Sequence, residues 1–171
     1  LGLLMVMDEV VSLRAGYGGY QGEGGVEPDL TIFGKIVGGG FPVGAIGGKA
    51  DLMDVLDNTQ SGGTLSQSGT FSGNNFTLAA GLATLRALTP EVYDHLDALG
   101  GRLHAGLERV FAAARIPCQV LSSGSIVNPF LTDRPVRDYR SAATVDAEMF
   151  DRLRLGLNLK GYYVGSGAMS M

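Results

Sequence analysis

Two short apolar runs, each closing on a charged residue, constrain this chain more than any other feature. The first, Leu3-Leu4-Met5-Val6-Met7, drives into Asp8-Glu9-Val10-Val11; the second, Leu30-Thr31-Ile32-Phe33, ends at Gly34-Lys35. An apolar run unbroken by alternation is the pattern of a strand covered on both faces, as in a parallel sheet. Side chains alternate along a strand, so Asp8 and Val10 share one face and Glu9 takes the other. A carboxylate at one strand end and an amine just past the other suggest a site built at the strand ends.

With 171 residues, 45% hydrophobic and 18% charged, the chain suits a soluble globular protein with one good core or two small ones. A net charge of −4, without a run of either sign, argues against a nucleic-acid partner, which would call for a basic stripe. The apolar runs fall short of a membrane span, and no signal-peptide pattern is present, so no membrane partner is expected. The single cysteine, Cys118, cannot form an internal disulfide; it fits a cytoplasmic location and the role of a small apolar filler near a strand start. Glycine, at 27 residues, is well above the usual ~7% and has no fixed period. It clusters at 16–25, 34–48, 61–73 and 161–167, where backbone must approach something closely or take positive φ. Residue 1 is not methionine and leads straight into a strand, and Tyr162-Tyr163-Val164 with Gly165-Ser166-Gly167 are expected as a strand and loop with no closing element after them, so both ends are expected to be cuts in a longer protein.

Taken in order, Leu3–Val10 and Leu30–Phe33 are expected strands joined by a glycine-rich loop, with a third short strand at Ala45–Gly48 and a brief helix at Ala50–Leu56. The polar, glycine-rich stretch 58–74 predicts a long loop, of the kind that more often carries function than idles. A helix follows over Asn75–Leu88, with Leu78, Leu82 and Leu85 at helical spacing. Thr89-Pro90-Glu91 opens the next, since threonine suits the cap, proline the first turn and glutamate the positive end of the dipole. Val92, Leu96, Leu99, Leu103, Leu107, Val110 and Ala114 form its apolar stripe, and Gly100-Gly101 suggests a bend. Strands are expected at Cys118–Leu121 and Ile126–Leu131, then a helix capped by Thr144 that runs to Lys160 and ends at Gly161. A domain boundary near 89 divides the chain into 1–88 and 89–171.

Several chemistries fall away. His95 and His104 lie on opposite faces of one helix, at roughly 100° per residue, and cannot share a metal ion. A P-loop is excluded because Gly48-Lys49 is followed by Ala50 and Val43 fills the first glycine position, while Gly34-Lys35 has Asp29 there. The dinucleotide fingerprint fails at Val43, one residue before Gly44. Gly-x-Ser-x-Gly is absent, and neither histidine is placed to serve a nucleophile. Asp8 and Lys35 remain. A lysine held at a cleft can become a nucleophilic amine toward aldehydes, and a nearby carboxylate can keep a pyridine nitrogen protonated. Blandly, Asp8 caps a turn and Lys35 is a solvated surface amine.

The wording around these two residues is more specific. Asp8-Glu9-Val10, the block from Pro28 through Gly34-Lys35 and Gly38-Gly39-Gly40-Phe41-Pro42-Val43-Gly44 to Gly48, and Ser68-Gly69-Thr70-Phe71-Ser72-Gly73-Asn74 resemble the class III pyridoxal-phosphate aminotransferases. Within them the chain is similar to glutamate-1-semialdehyde 2,1-aminomutase and its relatives, and Asp133 to Tyr139 adds a weaker likeness. The resemblance implies fold type I, an α/β aspartate-aminotransferase-like architecture. Residues 1–88 would be the C-terminal part of a large domain with a mostly parallel sheet, and 89–171 a small, incomplete C-terminal α/β domain. It also implies pyridoxal 5′-phosphate as cofactor, with Lys35 forming the Schiff base and shuttling the proton, Asp8 pairing with the ring nitrogen and Val10 packing on one ring face. Gly69 and Thr70 would reach the phosphate of the neighbouring subunit's cofactor. The implied partners are a small amino-acid or amino-aldehyde substrate and a second copy of the chain, in a homodimer with the active site at the subunit interface.

The resemblance leaves the reaction open. Aminomutases of this group tend to carry proline after Gly-Asn, where this chain has Asn75, and the Ser68-Gly69-Thr70-Phe71 wording is nearer to transaminases acting on β-amino acids with a keto-acid acceptor. Arg14 can be read as a carboxylate binder or as a surface arginine. A non-catalytic relative that keeps the scaffold is the alternative from another class. In this family the phosphate cup and the aromatic over the other ring face lie upstream, so this stretch alone is expected to bind the cofactor poorly.

Overall fold

A parallel strand pair organises the first half of the chain. In the computed structural model, which describes residues 2–59, 65–165 and 169–170, β1 (Val6–Asp8) lies parallel to β2 (Leu30–Gly34), with Val6 opposite Leu30 and Asp8 opposite Ile32. Parallel neighbours need a crossover, and this one contains a 3₁₀ turn (Ser12–Ala15) and a short helix, α1 (Gly19–Gly24). β3 (Gly44–Gly48) then returns antiparallel to β2, giving a sheet in the order β1-β2-β3. α2 (Ala50–Met53) and α3 (Asn75–Ala87) follow. The expected loop at 58–74 lies outside the described residues at 60–64, as does the segment 166–168.

Asp29 ties the entry of this sheet together. Its carboxylate accepts from the Met5 amide at 2.7 Å and from the Lys49 ammonium at 2.5 Å, joining the approach to β1, the start of β2 and the end of β3. α3 is capped as a helix should be: the Asn74 side chain accepts from the amides of Phe76 and Thr77 at 3.0 and 3.2 Å. Its buried residues are Thr77 and Gly81, whereas Leu78, Leu82 and Leu85 are exposed. Small residues, not the leucines, form its packing face.

The expectation of a strand covered on both faces is not met within this chain. Leu3, Leu4, Met5 and Val6 are all half exposed or more, and the covered side of β1 belongs to half-buried Met7 and, just past the strand, to Glu9, which has no exposure at all. The described residues pack one side of this strand only.

The chain divides into two compact units, Leu1–Tyr93 and Asp94–Met171. The second holds most of α4 (Pro90–Ala114) and a hairpin of β4 (Gln119–Ser123) and β5 (Ile126–Phe130), extended by β6 (Met169–Ser170) on β5. Phe111, Val120, Val127, Leu131 and Val136 are its buried apolar residues. The helix stripe therefore runs on from Leu107 to Phe111, while Val110 is exposed; a step of four keeps the face where a step of three would turn it. Gly100 does not interrupt the helix. α4 is continuous over 25 residues, and a Cβ at Gly100 would stand 2.4 Å from the Gly124 carbonyl, so the glycine lets the hairpin turn seat against the helix.

Two expected boundaries shift for local reasons. A short helix, α5 (Tyr139–Ala142), is set by a capping box in which the Asp138 carboxylate accepts from the Ser141 amide at 2.7 Å and the Ser141 hydroxyl accepts from the Asp138 amide at 3.0 Å. Those contacts, the Ser141 backbone amide above all, hold the Asp138 carboxyl below its ordinary range. Thr144 donates to the Ser141 carbonyl that closes α5, and Asp146 caps α6 (Ala147–Leu159) by accepting from Met149. Tyr162 to Val164 form no strand, because the Tyr162 amide turns back to Leu157 and that of Val164 to the Asn158 side chain. Among the described residues no helix is long and apolar enough to cross a membrane.

Two measurements check this packing. Gly100→Ala is expected to destabilise the protein by about 1–3 kcal/mol. Gly101→Ala, whose Cβ would enter open space, is expected to stabilise by up to about 1 kcal/mol; chemical denaturation of both variants gives the signs. The hydrogen bond from Lys49 holds the Asp29 carboxyl below its ordinary range, and the same contact raises the Lys49 ammonium. The carboxylate's contribution is present above its unfolded pKa and lost as pH falls through the lower folded value. The ammonium's is present below its unfolded pKa and lost as pH rises through the higher folded value. Asp29→Asn is therefore expected to reduce the acid-side fall in thermal stability measured across a pH series.

Candidate functional site

The carboxyl ends of β1 and β2 lie at the same edge, which is where open α/β sheets place their ligands. Asp8 closes β1 opposite Ile32, and the second strand continues through Gly34 to Lys35. Val10 reaches across to it: a Cβ at Gly34 would stand 3.2 Å from Val10 Cγ1. The structure thus brings Asp8, Val10 and Lys35 to one edge. Asp8 Oδ1 accepts from the Val10 amide at 2.9 Å, an Asx-type turn that fixes one carboxylate oxygen.

Lys35 opens a 3₁₀ turn (Lys35–Gly38) with φ of +49°, a left-handed value uncommon for a residue with a side chain. The turn is seated backbone to backbone on α3. A Cβ at Gly39 would meet the Ala80 carbonyl group at 2.4 Å, and one at Gly81 would meet the Val37 carbonyl at 2.2 Å. No side chain fits at either position, so the glycines after the lysine hold its turn on a rigid helix.

Glu9 was the residue sequence reasoning missed, beyond assigning it to the opposite face. It is fully buried. Its carboxylate accepts from the Ser12 hydroxyl, from the Tyr20 amide at 3.3 Å and from the Gln21 amide at 2.7 Å. Tyr20 and Gln21 occupy the first turn of α1, so a distant carboxylate does what the N-cap residue, Gly18, cannot. That explains how Gly19-Tyr20-Gln21-Gly22-Glu23-Gly24, a poor helix sequence, forms a helix. Gly19, with φ of +71°, is needed there: a Cβ would lie 2.9 Å from Glu9 Oε1. The available signal was the acidic pair itself, since alternation forces one of two adjacent carboxylates inward.

Gly69 and Thr70 lie one strand over. They line a cleft of about 680 Å³ with Val43, Gly44, Ala45 and Asn74, beside the β3 residue that pairs with Gly34. Neither Asp8 nor Lys35 is among the residues lining it. The Gly69 carbonyl accepts from the Ser72 amide at 2.9 Å, and Thr70 is exposed. Asp8 and Lys35 are exposed too, in contrast to the desolvated amine that the chemistry asks for. The neighbouring Leu3–Val6 run is equally bare, so the described residues do not supply the layer that would cover this edge.

The other candidates have structural roles. His104 Nδ1 lies 2.9 Å from Ser122 Oγ and its Nε2 3.4 Å from Glu108, while His95 is exposed. Burial pushes the Cys118 thiol up, away from the nucleophilic range, in keeping with a filler at the strand start. Arg14 is half-buried near Tyr93, whose phenol is raised by burial, with the Arg14 charge opposing that rise. Tyr93 also packs edge-on against Tyr17 at 6.0 Å.

Residues 1–154 match the family model described as aminotransferase class-III. A glutamate-1-semialdehyde 2,1-aminomutase from Staphylococcus epidermidis is 40% identical over 164 residues, which are 95% of this chain and 38% of that protein. The crystal structure of an omega-transaminase from Sphaerobacter thermophilus superposes with a TM-score of 0.93 at 42% identity, covering 99% of this chain and 40% of that one. A β-phenylalanine aminotransferase from Variovorax paradoxus gives 0.90 at 35%, with the same coverage. This chain spans about two fifths of the length of these proteins. With fold type I, the α/β fold of the pyridoxal-phosphate transferases, it belongs to the class-III aminotransferases.

Proposed function

We propose that this chain is the lysine-bearing part of a pyridoxal-phosphate-dependent enzyme that transfers amino groups. The observation that carries the reading is the convergence of Asp8, Val10 and Lys35 on the shared edge of a parallel strand pair. These residues fit the cofactor's chemistry: a carboxylate for a pyridinium N–H, an amine for an aldehyde, and an apolar side chain for a ring face. When bound, pyridoxal phosphate supplies an electron sink for the carbon that carries the amino group.

Lys35 would hold the cofactor through its side-chain nitrogen until the substrate's amine displaces it. The freed lysine would then take the proton from the substrate carbon and return it, as general base and then general acid. Asp8 would keep the ring nitrogen protonated, and Val10 would fix the plane of the ring. Fixing the lysine's turn on α3 limits the positions its amine can sample, which serves proton transfer between defined atoms. Gly69 and Thr70, in their separate cleft, would bind the phosphate held by a second subunit, and the exposed apolar residues Phe71, Phe76, Leu78 and Leu82 suit burial in a homodimer. Residues 1–88 would belong to the cofactor-binding large domain and 89–171 to a small C-terminal domain of a cytoplasmic enzyme.

Two reactions share this machinery. The aminomutase likeness favours returning the amino group to a neighbouring carbon of the same skeleton. Asn75 and the likeness to an omega-transaminase and a β-phenylalanine aminotransferase favour transfer from a β-amino acid to a keto acid.

The complete protein with pyridoxal phosphate is expected to absorb in the visible, and Lys35→Ala to lose that band; identical spectra would refute the enzyme reading. Asp8→Asn is expected to lower kcat by about 100- to 1,000-fold, as loss of one charge-stabilising group does elsewhere. Turnover of glutamate-1-semialdehyde without added keto acid assigns the aminomutase reaction. Turnover of a β-amino acid that depends strictly on a keto acid assigns the transaminase.

A further inference from the structure

Glu9 lies outside the proposed chemistry, yet among the described residues it is the most completely buried carboxylate, and it stands next to Asp8. Alternation sends the two side chains to opposite faces of β1, Asp8 outward and Glu9 inward. Behind the strand, both Glu9 oxygens are engaged by Ser12, Tyr20 and Gln21. The network then continues across the sheet. The Gln21 side-chain oxygen accepts from the Thr31 hydroxyl at 3.1 Å, and Thr31 is a buried residue of β2, opposite Met7. The Glu9 backbone adds a third tie, its amide donating to the Ile32 carbonyl at 2.9 Å and its carbonyl accepting from Leu13.

These links form a closed loop: Glu9 just past β1, Gln21 in α1, Thr31 in β2, and back through the Glu9 amide on Ile32. Both proposed site residues adjoin this loop: Asp8 closes β1 just before Glu9, and Lys35 follows Gly34 at the end of β2. We propose that Glu9 is a positioning residue, which fixes the direction of Asp8 and the offset between Asp8 and the lysine strand by clamping the crossover behind them. The role rests on the reading of Asp8 and Lys35 as cofactor anchors. A carboxylate suits it because every group facing it is a donor; a glutamine would turn an N–H₂ toward at least one of those donors.

The test uses the complete protein loaded with pyridoxal phosphate and compares wild type with Glu9→Gln and Gln21→Ala. Glu9→Gln is expected to shift the cofactor's visible band and lower kcat by roughly 10- to 100-fold, the penalty of a small misplacement, with little change in KM. Gln21→Ala, which cuts only the link to Thr31, is expected to shift the band in the same direction with a smaller loss of kcat. Amide exchange in the cofactor-free protein, expected to speed at residues 19–24 in Glu9→Gln, reads the clamp without the cofactor. A band present in wild type, lost in Lys35→Ala and unchanged in both clamp variants overturns the positioning role alone. Reduced thermal stability with an unmoved band and wild-type kcat for the folded fraction also overturns it, leaving Glu9 merely structural. Unchanged exchange overturns the clamp. No band in wild type overturns the cofactor reading and this role with it.

Discussion

Parallel pairing of two short strands is the constraint on which the rest of this structure depends. An antiparallel pair would send Asp8 and Lys35 to opposite edges; a parallel one makes both strands finish together. The requirement then passes to the connection, which has to leave β1, cross behind the sheet and re-enter beside it. A crossover rich in glycine has little helix propensity to organise it. The buried Glu9 carboxylate supplies the order, by collecting amides that the local sequence leaves uncapped. Asp29 does the corresponding work at the entry of the sheet, where an exposed ion pair meets a strand amide.

Much of this was legible from residues alone. The two apolar runs, their charged ends and the facing of Asp8 and Val10 follow from strand periodicity; β2 lies on its run, whereas β1 keeps only Val6–Asp8 of the expected Leu3–Val10. The wording around Lys35 pointed to a family, and the family model matches there. What stayed hidden depends on non-local contact. Gly100 reads as a helix weakness until the hairpin that packs on it is placed, and Gly39 and Gly81 show their purpose only together. Thr144 is as good a cap by residue type as Asp146, and the choice falls to whichever neighbouring helix claims the threonine first. Exposure of Asp8, Lys35 and Leu3 to Val6 is likewise unreadable from a run of residues, because burial is a property of what covers them.

In the proposed function the two acidic neighbours divide the work, one chemical and the other mechanical. Asp8 is left with one oxygen held by the Val10 amide, and faces outward. Glu9 is fully buried and engages both of its oxygens inside, on a hydroxyl and two amides. Their identities are nearly interchangeable by charge, but their environments are not. The same division appears around the lysine, where Lys35 carries the amine and the glycines after it carry the fit to α3.

The left-handed backbone at Lys35 has a consequence for how such a site persists. A side chain in that conformation is disfavoured by about 1 kcal/mol or more relative to glycine, so the fold itself would be more comfortable without the lysine. Mutation from lysine to glycine relieves the backbone there, and what it removes is the amine of the proposed chemistry. A lineage that gave up the proposed reaction could therefore exchange this lysine for glycine at no cost to the turn's own backbone, keeping the strand, the turn and the helix behind it.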